Sequence, residues 1–178
     1  MDAALIAIYF GISLTEIPIG SSITITFDSI AVVVGAALFG PIDGVTVGFL
    51  GEFLKRLIKY GFHVTTLIWC LGSGMRGLVL GLGMTVMKKH VDIEHIVGTG
   101  KHFAYYALIV AASVVTSALN TVAFYVDANV YGYYSDELAG AFFSAFVIRV
   151  LTGLVTSVIV GIVVLRILRA IIKSKMIQ

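Results

Sequence analysis

The sequence predicts an all-α integral membrane protein, built as a bundle of six transmembrane helices. Of its 178 residues, 59% are hydrophobic and 12% are charged, and the mean hydropathy is +1.04. Soluble domains carry about 25% charged and about 45–50% apolar residues, so the apolar excess indicates a chain that lies in the bilayer. Apolar segments also run from end to end, which predicts a single membrane domain over residues 1–178 without a soluble domain.

The composition also excludes several classes of function. A net charge of +2 is too small to indicate nucleic-acid binding. Cys70 is the only cysteine, which excludes an internal disulfide and a multi-cysteine metal site. No Gly-rich phosphate loop ending in Lys-Ser/Thr occurs. We therefore expect no catalytic residue, no cofactor and no metal. The start, MDAALIAIYFGISL, lacks a basic region and a cleavage site, so we interpret it as the first membrane helix.

Six apolar segments are candidates for spans, each of which needs about 20 residues, or fewer where the helix is buried. Polar stretches separate them, above all KKHVDIEHIVGTGKH and DANVYGYYSDE, which we interpret as loops. The predicted helices are approximately 3–17, 28–39, 43–60, 65–87, 103–126 and 138–172.

Turn and capping residues set these boundaries. Pro18 ends the first helix, and IPIGSSITIT follows as an extended loop. Pro41, in the sequence FGP, ends the second helix. Asp43 is the predicted N-cap of the third helix, where the helix dipole favours a carboxylate. Thr65 or Thr66 is the predicted cap of the fourth.

Basic residues in short loops predict the orientation, since they are enriched on the cytoplasmic side. An arrangement with both termini inside places seven of the twelve basic residues in the cytoplasm, in the loop after helix four and in the C-terminal tail. The predicted external loops, 18–27 and 127–137, contain none. We therefore expect a multi-pass protein of the plasma membrane, N-in and C-in.

Ionisable groups within the spans are costly and indicate function by default. With a rise of 1.5 Å per residue, Glu52, Arg76, Asn120 and Arg149 lie about 9–16 Å below the outer surface. These four groups come from four different helices, so they predict a water-filled cavity open to the outside. A cavity with apolar walls and a few fixed polar groups is the usual form of a small-molecule site. The planar guanidinium of arginine suits a carboxylate there.

Further side chains near the predicted mouth complete the candidate ligand-binding set. Trp69 and Tyr125 offer aromatic surface, and Thr66 and Asn129 offer hydrogen bonds. Other interpretations stay open at this point. Glu52 with Arg76 or Arg149 would also make a structural ion pair, and Trp69 would also serve as an interfacial anchor.

Three basic residues near the outer end of helix three, Lys55, Arg56 and Lys59, are exceptions to the orientation rule. Their long apolar stems allow the charged heads to reach the membrane surface. We expect them to snorkel to that surface rather than to contact a ligand.

The sequence resembles the substrate-binding S component of energy-coupling factor (ECF) vitamin transporters along its whole length. The resemblance rests on VVVGAALFGPIDGVTVGFLGEFL, on the TTLIW and RGLVLGL segments, and on Ala3 and Ala7 at an Ala-x-x-x-Ala spacing. It implies a subunit that binds one vitamin from outside. It also implies that Ala3 and Ala7 dock on a transmembrane coupling subunit, which works with two cytoplasmic ATPases.

The resemblance leaves the vitamin open. The pantothenate subgroup is the one that the chain resembles most, through GEFL, YG, TTLIW and RG in succession. Pantothenate would be bound by Arg76, Asn120 and Trp69. Folate-type members share the LNT of Leu119–Thr121, but YGFHVTT has no proline. Riboflavin, thiamine and biotin have no matching local motif, and cobalamin stays open. From other classes, an intramembrane enzyme around Ser73 lacks a histidine in a neighbouring span, and a self-sufficient transporter lacks an evident inverted repeat.

Overall fold

The computed structural model describes residues 2–19, 23–90, 102–133 and 142–175. Within these ranges the chain forms six α-helices and one antiparallel hairpin of two short strands. Their order along the chain is α1 (Asp2–Ser13), β1 (Ile17–Ile19), β2 (Ile23–Ile25), α2 (Ser29–Leu38), α3 (Pro41–Tyr60), α4 (Thr66–His90), α5 (His102–Asn129) and α6 (Phe142–Lys175).

Three of the described helices contain a stretch long and apolar enough to cross a membrane: Thr66–Met87, Phe103–Asn129 and Phe146–Ile171. The helices α1 and α2 are apolar but shorter, with 12 and 10 residues. The helix α3 has 20 residues and carries several charged side chains. The helical architecture is therefore as predicted, whereas six crossings with both termini inside stay a prediction.

The first helix is shorter than predicted, because it ends at Ser13 rather than near residue 17. Ile17 precedes Pro18, and a residue before proline is disfavoured in helical conformation. Ile17 instead pairs with Ile25 in the hairpin. The described parts of the segment predicted as an extended loop are extended and form this pairing.

The third helix begins two residues earlier than predicted. Gly40 has a φ of 113° and Pro41 occupies the first turn, the position at which the fixed φ of proline suits a helix. Asp43 therefore lies within the first turn and is not the N-cap. Its carboxylate still lies at the helix end that favours negative charge.

The fifth helix continues to Asn129, three residues beyond its predicted end. Asp127 is thus helical, although its polar neighbours predict a loop. Gly132, with a φ of 65°, marks the true break after the helix. Helices α4 and α6 also end later than predicted, at His90 and Lys175. The predicted start of helix six at residue 138 lies outside the described residues, as does most of the loop before α5.

The bundle has two chemically different ends. At one end, the later halves of α2, α4 and α6 pack with the first half of α5 around Leu80, Tyr105, Val164 and Leu168, all fully buried. At the other end, the first halves of α4 and α6 and the second half of α5 carry polar side chains that line a cavity. Apolar packing at the first end holds the helices together. The polar end encloses a cavity with room for a ligand.

Glycines let α3 and α4 approach closely enough to shape this cavity. A Cβ added to Gly77 would collide with the Gly44 carbonyl, and one added to Gly48 would collide with the Ser73 carbonyl. Small residues at helical spacing permit such backbone contact. The contact brings Glu52 of α3 beside Ser73 of α4, since Tyr9 hydrogen-bonds to both.

Candidate functional site: a polar cavity at one end of the bundle

A cavity of about 790 Å³ lies at the polar end of the bundle. All six described helices contribute to its wall, together with the hairpin and the turn before α4. Its charged lining residues are Asp28, Glu52, Lys55, Arg56, Arg76, Asp127 and Arg149. Sites for small molecules usually occupy about 300–1,000 Å³, so the volume suits a compact metabolite.

The wall formed by α3 carries charges that are already paired. Glu52 is buried, and its carboxylate accepts hydrogen bonds from the Tyr9 hydroxyl at 2.7 Å and from Arg56 Nε at 2.8 Å. Lys55 Nζ lies 3.7 Å from the same carboxylate. Since both oxygens of Glu52 have partners, this carboxylate is held by the protein itself.

Lys55 extends this network to the start of α2 and to the hairpin. Its Nζ donates to Asp28 Oδ2 at 3.1 Å and lies 3.5 Å from Glu16 Oε1. Glu16 also pairs with Lys59. These ion pairs connect two residues to the C-terminal end of α3: Glu16, just before β1, and Asp28, just before α2.

The ion pairs correct two interpretations drawn from the sequence. Glu52 pairs with Arg56 and Lys55 rather than with Arg76 or Arg149. Lys55 and Arg56 turn towards buried carboxylates and line the cavity instead of snorkelling to the surface. The charges are close in space because one helical turn separates Glu52 from both basic residues.

Arg76 lies on the opposite wall and has far fewer contacts. Its Nε donates to Thr116 Oγ1 at 3.2 Å, and Thr116 Oγ1 donates in turn to the Ala112 carbonyl at 2.8 Å. Within the described part of the chain, no carboxylate lies within 4 Å of its guanidinium. A cation without a counter-ion on a cavity wall is available to an acidic or hydrogen-bond-accepting ligand.

Trp69 joins the two walls through its ring. The guanidinium carbon of Arg56 lies 4.1 Å from the ring centroid, and that of Arg149 lies 5.5 Å away. Arg149 also lies 4.9 Å from the Phe124 ring, and its Nη1 donates to the Asn120 carbonyl at 3.0 Å. Cation–π contacts of this kind fix the arginines and the indole together.

Asp127 is the group that the sequence argument misses. Its side chain lines the cavity, and the residue is only 6% exposed. Its Oδ2 accepts a hydrogen bond from Trp69 Nε1 at 2.7 Å, whereas its buried Oδ1 has no hydrogen-bond partner among the described residues. The sequence predicts a loop at this residue. In the structure α5 continues to Asn129, and the side chain of Asp127 lines the cavity.

Hydroxyl-bearing residues on α5 and α6 also line the cavity. They recur at helical spacing and form one polar stripe on each helix, a pattern visible in the sequence as hydroxyls repeated every three or four residues. The hydroxyl-bearing members are Ser113, Thr116 and Ser117 on α5 and Thr152 and Thr156 on α6, and Asn120, Arg149 and Gly153 line the cavity beside them.

Six of the eight predicted ligand-binding residues line the cavity, and two do not. The lining residues are Glu52, Thr66, Trp69, Arg76, Asn120 and Arg149. Tyr125 and Asn129 are exposed and lie outside the lining, because they point away from the face of α5 that carries Asp127. The structure therefore does not support the predicted position of Tyr125 and Asn129 at the mouth.

Ala3 and Ala7 lie on α1, outside the cavity lining. Both are exposed, and so is Gly11 four residues further on. Their spacing places the three on one side of the helix. That side forms a stripe of small residues not covered by the described chain.

Within the described residues, no cluster of three or more His, Cys, Asp or Glu side chains could hold a metal ion. The cavity instead offers fixed hydrogen-bonding groups, aromatic surface and two incompletely partnered charges, Arg76 and Asp127. Together with three apolar helices of spanning length, this arrangement defines a membrane protein that binds a small polar molecule.

The chain belongs to the family described as ECF-type riboflavin transporter, S component, which it matches over residues 2–173. This confirms the resemblance to the S component of ECF transporters, whereas the pantothenate subgroup stays a prediction. Members of this family are substrate-binding subunits of transporters and not enzymes.

Relatives among curated sequences match shorter segments of the chain. A UPF0397 protein from Lactococcus lactis subsp. cremoris is 49% identical over 49 residues, which are 28% of this chain and 26% of the relative. One from Aliivibrio salmonicida is 30% identical over 84 residues, 47% of this chain and 44% of the relative. One from Streptococcus thermophilus is 39% identical over 67 residues, 38% and 36% of the two chains. The chain thus spans less than half the length of these relatives.

Proposed function

We propose that this chain is the S subunit of an ECF-type importer and captures a small water-soluble vitamin in its polar cavity. In this proposal the cavity faces the outside of the plasma membrane. A transmembrane coupling subunit and two cytoplasmic ATPases drive delivery. The observation that carries the proposal is a polar cavity of about 790 Å³ in a chain that belongs to the S-component family.

Arg76 supports an acidic or strongly hydrogen-bond-accepting ligand. It lines the cavity, and Thr116 is its one hydrogen-bond partner in the described chain. A guanidinium can bind both oxygens of a carboxylate. Pantothenate, which has one carboxylate, an amide and hydroxyls, fits this chemistry and is the first candidate.

Riboflavin is the second candidate, because the matched family is described as riboflavin transporters. It lacks an acidic group, but its ring carbonyls would accept hydrogen bonds from Arg76. Its flat ring system would find aromatic surface in the lining, to which Trp69 and Phe124 contribute. Folate and other vitamins are less favoured, since the lining gives no separate reason for them.

Binding to the purified chain in detergent is the first test. Trp69 is the only tryptophan in the sequence and lines the cavity, so its fluorescence reports on occupancy. Titration with pantothenate, followed by calorimetry with pantothenate, riboflavin and folate, should give saturable 1:1 binding of one compound without ATP. If none of them binds, the vitamin proposal is wrong.

Uptake by whole cells tests the partner subunits. Substitution of Ala3 and Ala7 by leucine should abolish uptake and leave binding unchanged, because the side chains lie outside the cavity and would block close helix approach. Leucine at exposed Ala170 of α6 is the matched control. Uptake without any partner subunit would indicate a self-sufficient transporter instead.

A further inference from the structure

The hydroxyl of Thr116 connects the Arg76 side chain to the backbone of α5. Its Oγ1 donates to the Ala112 carbonyl at 2.8 Å and accepts a hydrogen bond from Arg76 Nε at 3.2 Å. Thr116 is 2% exposed and Ala112 is fully buried. Because a hydroxyl carries a single proton, the bond to Ala112 fixes the orientation of the hydroxyl. A lone pair is then left for Arg76, and the hydroxyl acts towards it as an acceptor only.

The bond from Thr116 to the carbonyl four residues earlier is a general feature of helical threonines. Thr121, further along α5, donates in the same way to the Ser117 carbonyl at 2.7 Å. Among the threonines that the structure describes, only Thr116 also accepts a hydrogen bond from a charged side chain. The contact with Arg76, rather than the bond to the backbone, therefore sets Thr116 apart.

This contact decides which edge of the Arg76 guanidinium a ligand can use. A carboxylate pairs with two N–H groups of the planar guanidinium, either Nε with one Nη or the two Nη together. Thr116 Oγ1 already occupies Nε. Within the described part of the chain, no hydrogen bond or ion pair engages Nη1 or Nη2. Since Arg76 is half-buried and lines the cavity, the edge formed by its two Nη groups is the one left for a ligand.

We propose that Thr116 is a positioning residue, which holds Arg76 so that its two Nη groups receive a carboxylate of the ligand end-on. Thr116 itself does not contact the ligand. This inference rests on the proposed function and narrows its substrate class to a vitamin with a carboxylate. An arginine side chain has several rotatable bonds, so fixing Nε beforehand reduces the conformational entropy that is lost when the ligand binds.

A purely structural role for the contact predicts different behaviour. The arginine on the α3 wall that holds the fold has a carboxylate partner, since Arg56 pairs with Glu52 at 2.8 Å. Thr116 is neutral and does not balance the charge of Arg76. If the contact only packs α4 against α5, its loss should weaken the binding of every ligand equally or of none. If it positions Arg76, the loss should be confined to ligands with a carboxylate.

The experiment compares the full-length wild type with Thr116→Val, Thr116→Ser and Thr121→Val. Valine keeps the shape of threonine without the hydroxyl, whereas serine keeps the hydroxyl. Thr121→Val is the matched control, because Thr121 is buried on the same helix and makes the same bond to the backbone but does not line the cavity.

Each protein is titrated by calorimetry in detergent with the acidic vitamins pantothenate and folate. It is also titrated with their analogues in which a carboxamide replaces each carboxylate, and with riboflavin, which has no carboxylate. Melting temperatures without ligand show that each variant is folded. Thr116→Ala removes the same hydroxyl and takes the place of Thr116→Val if the valine variant does not fold.

We expect the wild type, Thr116→Ser and Thr121→Val to bind one acidic vitamin at least about tenfold more tightly than its carboxamide. Thr116→Val should bind that vitamin roughly 3- to 10-fold more weakly, because Arg76 is still present but no longer held. Its affinity for the carboxamide should change by less than about twofold. The two valine variants should melt at similar temperatures, since both lose the same bond to the backbone.

Four results would overturn the inference and leave the proposed function intact. Riboflavin is the only vitamin that binds; Thr116→Val binds the acidic vitamin as the wild type does; Thr116→Val loses as much affinity for the carboxamide as for the acid; or Thr116→Ser is as weak as Thr116→Val. If the wild type binds none of the three vitamins, the proposed function fails, and the inference fails with it.

Discussion

The two walls of the cavity use their charges differently. On the α3 wall, Glu52 has Tyr9, Arg56 and Lys55 as partners, and Lys55 also pairs with Asp28. On the wall of α4 and α5, within the part of the chain that the structure describes, Arg76 has one hydroxyl partner and the buried Oδ1 of Asp127 has no hydrogen-bond partner.

This difference separates charges that hold the fold from charges that are available to a ligand. Buried charges are costly unless they are paired, and breaking a buried pair costs about 3–5 kcal/mol. The α3 wall avoids this cost by internal pairing. On the opposite wall, Arg76 has no carboxylate partner among the described residues, and an acidic ligand would supply one on binding. Each wall should therefore respond to mutation in its own way.

The largest effect is expected for Glu52→Gln, and it should be on stability. The change leaves Arg56 and Lys55 without their shared carboxylate in a buried position, at a cost of about 3–5 kcal/mol. At about 2–4 °C per kcal/mol for a chain of this size, the melting temperature should fall by roughly 6 °C or more. Thermal unfolding of the purified protein in detergent, followed by fluorescence, measures this.

Asp43→Asn is the control for Glu52→Gln, since Asp43 lies outside the network and the cavity lining. An unchanged melting temperature for Glu52→Gln, combined with a large loss of vitamin binding, would reverse the assignment. It would mean that the paired wall, and not the opposite one, contacts the ligand.

The second largest effect is expected for Arg76→Gln, and it should be on binding. A hydrogen bond to a charged group contributes about 1.5–3 kcal/mol, so affinity for an acidic vitamin should fall roughly 10- to 100-fold. Stability of the empty protein should be unchanged or higher, because an unpaired charge is removed. Calorimetric titration and a ligand-free melting curve measure the two quantities.

Arg166→Gln is the matched control, since Arg166 is exposed on α6 and does not line the cavity. Equal affinity of wild type and Arg76→Gln for the bound vitamin would remove Arg76 from the site. A loss of stability without a loss of affinity would assign Arg76 to the fold instead.

The sequence predicts the helices well and their contacts less well. Apolar stretches and the turn at Pro41 locate six helices, since the bilayer demands long apolar segments. Depth arguments bring Glu52, Arg76, Asn120 and Arg149 to one cavity, because helical rise fixes how far each lies from its helix end. Depth does not give the direction of a side chain around the helix, which is why Tyr125 is misplaced.

The sequence alone also does not show which groups pair with the charged residues. Glu52 lies one turn from Arg56, and that spacing favours their pairing within α3, yet Tyr9 and Asp28 come from segments 43 and 24 residues away from it. Such contacts depend on the packing of α1 and α2 against α3. Asp127 is missed for a local reason. DANVYGYY is rich in turn-forming residues and therefore predicts a loop, but the helix breaks at Gly132 rather than at the first polar residue of this segment.

The smallest effect is expected for Trp69→Phe, and it tests how the two walls are connected. Phenylalanine keeps an aromatic ring beside Arg56 and Arg149 but removes the Nε1–H that holds Asp127 Oδ2. This bond lies within the wall and does not contact the ligand, so only part of its contribution should affect binding, and affinity should fall roughly 2- to 10-fold. In a double-mutant cycle with Asp127→Asn, the two losses should be strongly non-additive, because both changes disturb one contact. Calorimetry on the four proteins gives the coupling.

Additive losses would mean that Trp69 contacts the ligand independently, and that Asp127 is oriented by other groups of the wall.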